Sequence, residues 1–301
     1  MYREDMRSKL YDLLGDLPDR NIPVNSKLIA REERDEYTVE SLILELNNIE
    51  SVPAYFISPK TVNKPNPVIL YNHSHGGNYS TGKEEIFTGA QYLHNISYAR
   101  ELTQCGYSVL CIDEWGFGER RGRTETEIFK EMLWKGQVMW GMMVYDSIRA
   151  VDYLLTRQDV DTGRIATVGM SMGGNKSWWL SALDERIKVC VDICSMTEFQ
   201  ELINCRSLDK HGIYYYVPGL LKHFSTAGIN SLICPRPHLS INGIYDRITS
   251  QSGLNIIDDE LKRIYKEDNN SCCYEMKRYS AGHFETHDMR KSVLDFLKKW
   301  L

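Results

Sequence analysis

Residues 164–180 read RIATVGMSMGGNKSWWL, an apolar, β-branched run that leads into a serine placed between two glycines. The run from Ile165 to Val168 is typical of a buried strand, and the residues after Gly174 are typical of the start of a helix. Ser171 therefore holds the G-x-S-x-G position of a nucleophile elbow, a sharp turn that exposes a serine hydroxyl at the end of a sheet strand. An ordinary Gly/Ser turn fits the same short pattern, so the interpretation depends on whether the chain also supplies the partners of a nucleophilic serine.

The composition is that of a globular chain with no sign of a polyanion or membrane partner. The 301 residues are 42% hydrophobic, which is enough for one large α/β domain. No window of about 18 apolar residues occurs and the N-terminus alternates charged with apolar residues, so we expect a cytoplasmic protein. The net charge of −5 arises from 36 basic and 41 acidic residues spread along the chain, which disfavours nucleic-acid binding. The eight cysteines form no repeated C-x-x-C pairs and are expected to be buried free thiols.

The order of strand-like and helix-like segments predicts the architecture. Residues 1–35 are expected to form an N-terminal helical segment with a charged connection, followed by one domain over 36–301. The segments YTVESLILEL and SVPAYFISP predict a hairpin around the turn NNIE. Helices are then predicted near 90–104 and from about 133 to 157, alternating with strands. This alternation predicts a mainly parallel, eight-stranded sheet flanked by helices, the α/β-hydrolase plan, with a lid-like insertion at 195–233 between the sixth and seventh strands.

A nucleophilic serine needs a histidine as general base and a carboxylate that orients the histidine, and after an elbow these follow in the order acid, then histidine. Asp246 follows the apolar strand in RPHLSINGIYDRIT, and His283 follows the next strand in KRYSAGHFETH. Both lie at carboxyl ends of predicted strands, where open α/β sheets place their sites. We therefore predict Ser171, Asp246 and His283 as a catalytic triad.

The remaining histidines offer a metal site as an alternative. His287 lies four residues after His283, and His73 lies two before His75, so zinc ligation has to be weighed. The segment HFETH lacks the glutamate directly after the first histidine that a metalloprotease helix carries. We therefore expect no metal and no cofactor.

The tetrahedral intermediate of acyl transfer needs two N–H donors for its oxyanion. Met172 follows the nucleophile and supplies the first by its position. The strand in PVILYNHSHGGNYSTGKEE ends in His-Gly-Gly, where glycine lets the backbone approach a substrate closely. Gly77 is predicted as the second donor, with Gly76 as the alternative.

Taken together, these segments resemble α/β-hydrolases of the dienelactone hydrolase and acetyl xylan esterase (cephalosporin C deacetylase) group. The resemblance covers most of the chain from about residue 36 and rests on HSHGG, CIDEWGFGERRGR, DSIRAVDYLLTRQDVDTGRIATVGMSMGG, YYYVPGL, PRPHLSINGIYDRIT and AGHFET. It implies Ser171 as nucleophile, Asp246 as acid and His283 as base. In acetyl esterases of the group an aromatic residue usually follows His-Gly in the oxyanion loop, and this chain has Gly77 there.

Several aromatic and charged residues near the predicted site are candidates for substrate contacts. The insertion carries three consecutive tyrosines, and Trp115 follows the strand in CIDEWGFG; a tyrosine run is equally compatible with ordinary packing. The predicted substrate-pocket residues are Tyr214, Tyr215, Tyr216 and Trp115. Glu119, Arg120 and Arg121 either meet a charged part of the substrate or form ion pairs.

The sequence thus predicts a serine hydrolase that cleaves small carboxylic esters, of the acetyl-esterase or a related deacetylase type, through an acyl-enzyme. A peptidase related to the prolyl oligopeptidases is an alternative, although the chain is too short for their propeller domain. A thioesterase is disfavoured because no basic nucleotide-binding surface is evident. A binding protein on a hydrolase fold remains open, since fold does not imply function. A homo-oligomer is possible.

Overall fold

A computed structural model describes residues 2–60 and 65–301 and shows a twisted sheet covered by helices. The strands are β1 Asn25–Glu33, β2 Tyr37–Glu45, β3 Val52–Pro59, β4 Asn66–Asn72, β5 Ser108–Ile112, β6 Val160–Met170, β7 Ile187–Ile193, β8 His238–Gly243 and β9 Tyr274–Tyr279. The α-helices are α1 Tyr2–Asp12, α2 Glu85–Thr88, α3 Tyr98–Gln104, α4 Glu125–Trp134, α5 Met139–Thr156, α6 Met172–Leu183, α7 Phe199–Asn204, α8 Thr226–Asn230, α9 Gln251–Glu267 and α10 His287–Trp300.

The described strands form one sheet in the order β1-β2-β3-β5-β4-β6-β7-β8-β9. Strands β1, β2 and β3 pair antiparallel, β3 also pairs antiparallel with β5, and every pairing from β5 to β9 is parallel. The predicted hairpin is confirmed as β2–β3. Strands β4, β5 and β8 are buried along their whole length because helices cover both of their faces, whereas the edge strand β9 is partly exposed.

The sheet has one strand more than the sequence predicts. Residues 25–33, expected to belong to a charged connection, form β1 at the edge of the sheet. Every residue of β1 is exposed, so its sequence, NSKLIAREE, carries no alternation of buried and exposed positions that would mark a strand. Charged side chains on such an edge also discourage pairing with another chain.

The helices differ from expectation at two places. The helix expected near 90–104 is shorter, because α3 begins only at Tyr98, after its N-cap Ser97. The helix expected from about 133 to 157 is α5, which begins at Met139 and is separated from α4 by a break. Gly136 lies in this break with a φ of +74°, a conformation outside the α-helix.

Two apolar layers sandwich the sheet. Alternate residues of one strand face opposite layers, so Val68 and Leu70 join the layer that contains α5 and α6. Ile69 and Tyr71 join the layer that contains α3 and α10. The carboxyl ends of the parallel strands are thereby held at one edge of a rigid core.

The insertion between β7 and β8, residues 195–233, is present as a series of short elements. It contains α7, α8 and four one-turn 3₁₀ helices. Part of this segment lies over the carboxyl ends of the strands and contributes to the cavity described below.

Among residues 2–60 and 65–301, none of the helices combines the length and the apolar character needed to cross a lipid bilayer.

A buried arginine ties α10 to α3. Arg290 is 2% exposed and pairs with Glu285 at 2.6 Å and with Glu101, while its guanidinium lies 3.4 Å from the centre of the Tyr98 ring. Removing one partner of such a pair leaves the other charge buried and uncompensated.

We expect Arg290→Ala to lower the free energy of unfolding by about 3–5 kcal/mol, because Glu285 would lose its cation. Urea denaturation followed by circular dichroism measures this. Lys291→Ala, an exposed neighbour on the same helix, should change it by less than about 0.5 kcal/mol. Equal stability of the two variants would contradict this role of Arg290.

Candidate active site

Ser171 lies at the turn between β6 and α6. Its φ of +56° and ψ of −118° are a strained conformation for a residue other than glycine. Its N–H donates to the carbonyl of Ile193 at 2.8 Å, which fixes the turn to β7. Ser171 is the N-cap of α6, yet its hydroxyl makes no capping bond, so the hydroxyl is available to other partners.

The glycines around Ser171 are required by close contacts. A Cβ on Gly173 would collide with the carbonyl oxygen of Asn72 in β4, and one on Gly169 would collide with the backbone of Gly173. Gly174 approaches Ser195, where an added Cβ would lie 2.6 Å from the serine Cβ. The start of α6 can therefore press against the sheet only without side chains at these positions, and this contact produces the sharp turn.

The histidine and the acid come from the loops after β9 and β8. His283 Nε2 lies 3.0 Å from the Ser171 hydroxyl, and His283 Nδ1 lies 2.7 Å from Oδ2 of Asp246. The other carboxylate oxygen accepts the N–H of Ile248 at 3.0 Å. A carboxylate can only accept, so its contact with Nδ1 places the proton there and leaves a lone pair on Nε2 facing the serine.

Backbone contacts hold these two loops together. The N–H of Tyr245 donates to the carbonyl of Ala281 at 2.9 Å, and that of Ile244 donates to Tyr279 at 2.9 Å. A Cβ on Gly243 would collide with the carbonyls of Ala281 and Gly282. The side chain of Asp246 is 1% exposed and that of His283 is 28% exposed, so the carboxylate is shielded from solvent while the imidazole is partly accessible.

The loop after β4 brings Gly76 and Gly77 into the same cavity as Ser171. Both have a positive φ, +51° and +71°. The N–H of Gly77 donates to His75 Nδ1 at 3.1 Å, so a ligand would have to replace this acceptor. Met172 is the first residue of α6, and the first N–H groups of a helix have no acceptor within it.

The cavity beside Ser171 is small and polar. Its volume is about 190 Å³, and its wall includes Asn175, Ser195, Thr197 and His211 as well as Ser171, His75, Gly76 and Gly77. The Oδ1 atom of Asn175 is buried and has no hydrogen-bond partner in the described part of the chain. The sequence analysis missed these residues because none belongs to a motif; they come together only through the fold.

One of the four predicted pocket residues lines this cavity. Tyr214 does, and its ring stacks on His75 with centroids 5.4 Å apart. Tyr215 and Tyr216 instead lie in the wall of a second cavity. Trp115 is 1% exposed in the core, beneath the Arg120 guanidinium at 4.4 Å. The prediction for these three is corrected: neighbouring residues of the turn point to different sides, and Trp115 turns away from the site.

Two of the three charged residues after β5, Glu119 and Arg120, form ion pairs, which is the second of the two expected roles. Arg120 is buried and pairs with Asp146 at 2.9 Å and Glu50 at 2.6 Å, while Glu119 pairs with Lys83 at 2.5 Å. Arg121 donates to the carbonyl of Gly118 at 2.8 Å.

His73 and His75 have separate partners. Burial lowers the pKa of His73 to about 4, and its Nε2 accepts the N–H of Glu114 at 3.1 Å. His75 Nε2 faces Glu125 at 3.1 Å. A group of metal-ligating atoms among residues 2–60 and 65–301 is formed by Cys194, Asp246 and His283, within 4.8 Å of one another. The side chains of Asp246 and His283 already form a hydrogen bond with each other, and we assign no metal to the group.

The sequence of the chain is similar to those of known proteins. Residues 52–214 match the model of the Dienelactone hydrolase family, a stretch that includes Ser171 and ends before Asp246 and His283. A protein of Bacillus subtilis (strain 168), YtaP, provisionally named a hydrolase, is 53% identical over 299 residues, covering 99% of this chain and all of the relative.

Solved structures share the fold at low sequence identity. A crystal structure from Bacteroides fragilis NCTC 9343, provisionally described as an acetyl xylan esterase, superposes with a TM-score of 0.73 at 19% identity, covering 93% of this chain and 74% of the other. The glucuronoyl esterase from Solibacter usitatus superposes with a TM-score of 0.71 at 15% identity, covering 98% and 91%. The expected resemblance and the expected α/β-hydrolase fold are confirmed.

Because Gly173 has no room for a side chain, Gly173→Ala should push α6 away from β4 and displace Ser171. We expect a loss of about 1–3 kcal/mol in the free energy of unfolding and much slower labelling by a fluorescent fluorophosphonate. Gly163→Ala, in an exposed part of β6, is the matched control and should change neither. Normal labelling of folded Gly173→Ala would contradict the packing argument.

Proposed function

The chain belongs to the dienelactone hydrolase family, and from this premise we propose that it is a serine esterase that uses Ser171, His283 and Asp246 on small carboxylic esters. A lactone is a cyclic ester, so membership of the family confirms the expectation of an ester-bond hydrolase. The observation that carries the finer proposal is the line of contacts from the Ser171 hydroxyl to His283 Nε2 at 3.0 Å and from His283 Nδ1 to Asp246 at 2.7 Å.

In the proposed reaction, the Ser171 oxygen attacks the ester carbonyl carbon while its proton passes to His283 Nε2. The imidazolium then gives this proton to the leaving alcohol, and an acyl-enzyme remains. Water attacks the acyl carbon, again losing a proton to Nε2, and the carboxylic acid leaves as Ser171 recovers its proton. Asp246 stays ionised throughout and stabilises the imidazolium through Nδ1.

The oxyanion formed at each attack needs N–H donors aimed at the site where its charge develops. We propose the amide of Met172 as one donor, since it lies at the start of α6, where the helix dipole also favours negative charge. The second is Gly77, once the substrate oxygen replaces His75 Nδ1 as acceptor, or Gly76.

The size of the cavity supports a small acyl or alcohol group. Its volume of about 190 Å³ is below the roughly 300–1,000 Å³ of sites that enclose a drug-sized ligand. Its wall carries amide, hydroxyl and imidazole groups, which can exchange hydrogen bonds with a polar substrate. A long hydrocarbon chain in this cavity would exclude water from these polar groups and offer them no hydrogen bonds in return, which costs free energy.

We expect Ser171→Ala and His283→Ala each to lower kcat for p-nitrophenyl acetate by roughly a thousandfold or more, because each removes a member of a unit that acts together. Both should also abolish fluorophosphonate labelling. Asp246→Asn should lower kcat to a similar extent, because the histidine loses its orientation and its counter-charge.

His287→Ala is the control, since His287 is exposed at the start of α10, and it should retain full activity. Unchanged turnover by folded Ser171→Ala would overturn the mechanism. A wild type that neither turns over any ester nor labels would favour a binding protein on a hydrolase fold.

A second expectation follows from the size of the cavity. For p-nitrophenyl esters from acetyl to octanoyl, kcat/KM should fall by at least about tenfold, because a single missing or excess methylene already changes recognition by roughly 10–200-fold. Tyr214→Ala removes a ring from the cavity wall and should reduce the ratio of kcat/KM between the acetyl and octanoyl esters. Tyr214→Phe keeps the ring and should preserve this ratio. Octanoate cleaved as fast as acetate by the wild type would contradict the proposed preference.

A further inference from the structure

A second cavity lies within the 195–233 insertion and has a volume of about 350 Å³. Its wall includes Phe199, Leu202, Leu208, Tyr215 and Leu220. It shares no lining residue with the cavity beside Ser171. The two cavities lie on either side of a thin partition, in which the ring of Tyr215 stacks on His211 with centroids 5.4 Å apart. The proposed reaction makes no use of this second cavity.

Most of the wall of the second cavity is apolar, including residues that are exposed to solvent. Ile203, Leu208 and Leu221 belong to it and remain 44%, 38% and 42% exposed. Water in contact with such side chains is released when a hydrocarbon covers them, at a gain of roughly 25 cal/mol for each Å² buried. The cavity therefore favours a ligand with a hydrocarbon part.

The polar groups of the wall favour a negative head group. Lys222 is the charged residue of the wall and forms no ion pair with any described residue. The hydroxyl of Tyr215 is buried, with the residue 5% exposed, and has no hydrogen-bond partner within residues 2–60 and 65–301. An ammonium and an unpaired hydroxyl are both donors, and no acidic side chain belongs to the wall to repel an anion.

The volume sets the size of the ligand. About 350 Å³ lies at the lower end of the roughly 300–1,000 Å³ of small-molecule sites, and is too little for a folded partner or a helix. We propose that this cavity binds a single-chain carboxylate of medium length, with its hydrocarbon among Phe199, Leu202 and Leu220 and its head group at Lys222. This site is separate from the proposed catalytic site and does not depend on the activity assigned there.

Isothermal titration calorimetry with sodium decanoate, kept below its critical micelle concentration, tests the proposal on the full chain. We expect saturable binding at one site, at least tenfold tighter than that of decyltrimethylammonium, which has the same chain length and the opposite charge. Ser171→Ala and wild type labelled with a fluorophosphonate should bind decanoate as the unlabelled wild type does, because the two cavities are separate.

Two variants test the assigned contacts. Lys222→Glu should reverse the preference, so that the cation binds at least tenfold tighter than decanoate. Lys188→Glu makes the same charge change at an exposed position of β7 and should leave the preference as it is. Leu220→Trp fills the cavity and should abolish binding, provided that circular dichroism shows a folded chain; Lys222→Glu, a change at an exposed residue, tests the site without this condition.

Four outcomes would overturn the proposal. These are the absence of saturable binding, equal affinity for the two amphiphiles, loss of decanoate binding after fluorophosphonate labelling, and a preference that Lys222→Glu leaves unchanged. Sedimentation velocity tests the alternative that a second copy of the chain covers this apolar surface. A wild-type dimer that Leu221→Glu dissociates, together with no binding of decanoate, would support that alternative.

Discussion

The close approach of α6 to β4 is the constraint on which the candidate site depends. Gly173 meets the carbonyl of Asn72 with no space for a methyl group, so the chain has to reverse between β6 and α6 within a single residue. That residue is Ser171, whose φ of +56° is the local cost of the reversal. A turn with more room would let the serine hydroxyl cap its own helix, as serines at this position usually do. Here the hydroxyl instead faces His283.

The sheet, rather than the hydrogen bonds that link Ser171, His283 and Asp246, supplies the energy that assembles the site. A single hydrogen bond contributes about 0.5–1.5 kcal/mol net, too little to order loops 112 residues apart in sequence. The parallel register of β6, β7, β8 and β9 places the ends of these strands at one edge, and the backbone bonds from Tyr245 to Ala281 fix the last two loops to each other. Asp246 and His283 thereby come within hydrogen-bond distance of each other.

The sequence predicted the parts of this arrangement that are local, and missed those that depend on tertiary contacts. Ser171 carries its own turn signal, and Asp246 and His283 each follow a strand of clear apolar character. Strand β1 was missed because every residue of it is exposed, so that its pairing with β2 leaves no hydrophobic pattern. The side chains of the wall, such as Asn175 and His211, carry no local signal either, because their neighbours belong to distant segments.

The three consecutive tyrosines show why the sequence could not assign the residues of the substrate pocket. Tyr214 and Tyr215 are adjacent in a 3₁₀ turn, and their side chains serve different cavities. Tyr214 packs on His75 beside the polar groups near Ser171, whereas Tyr215 stacks on His211 from the apolar side. The insertion thus presents polar groups to the cavity beside Ser171, whereas its second cavity is lined mainly by apolar side chains. Because the sheet positions Ser171, Asp246 and His283 while the insertion forms about half of the cavity wall, a change in the insertion can alter which group fits beside Ser171 without moving these three residues.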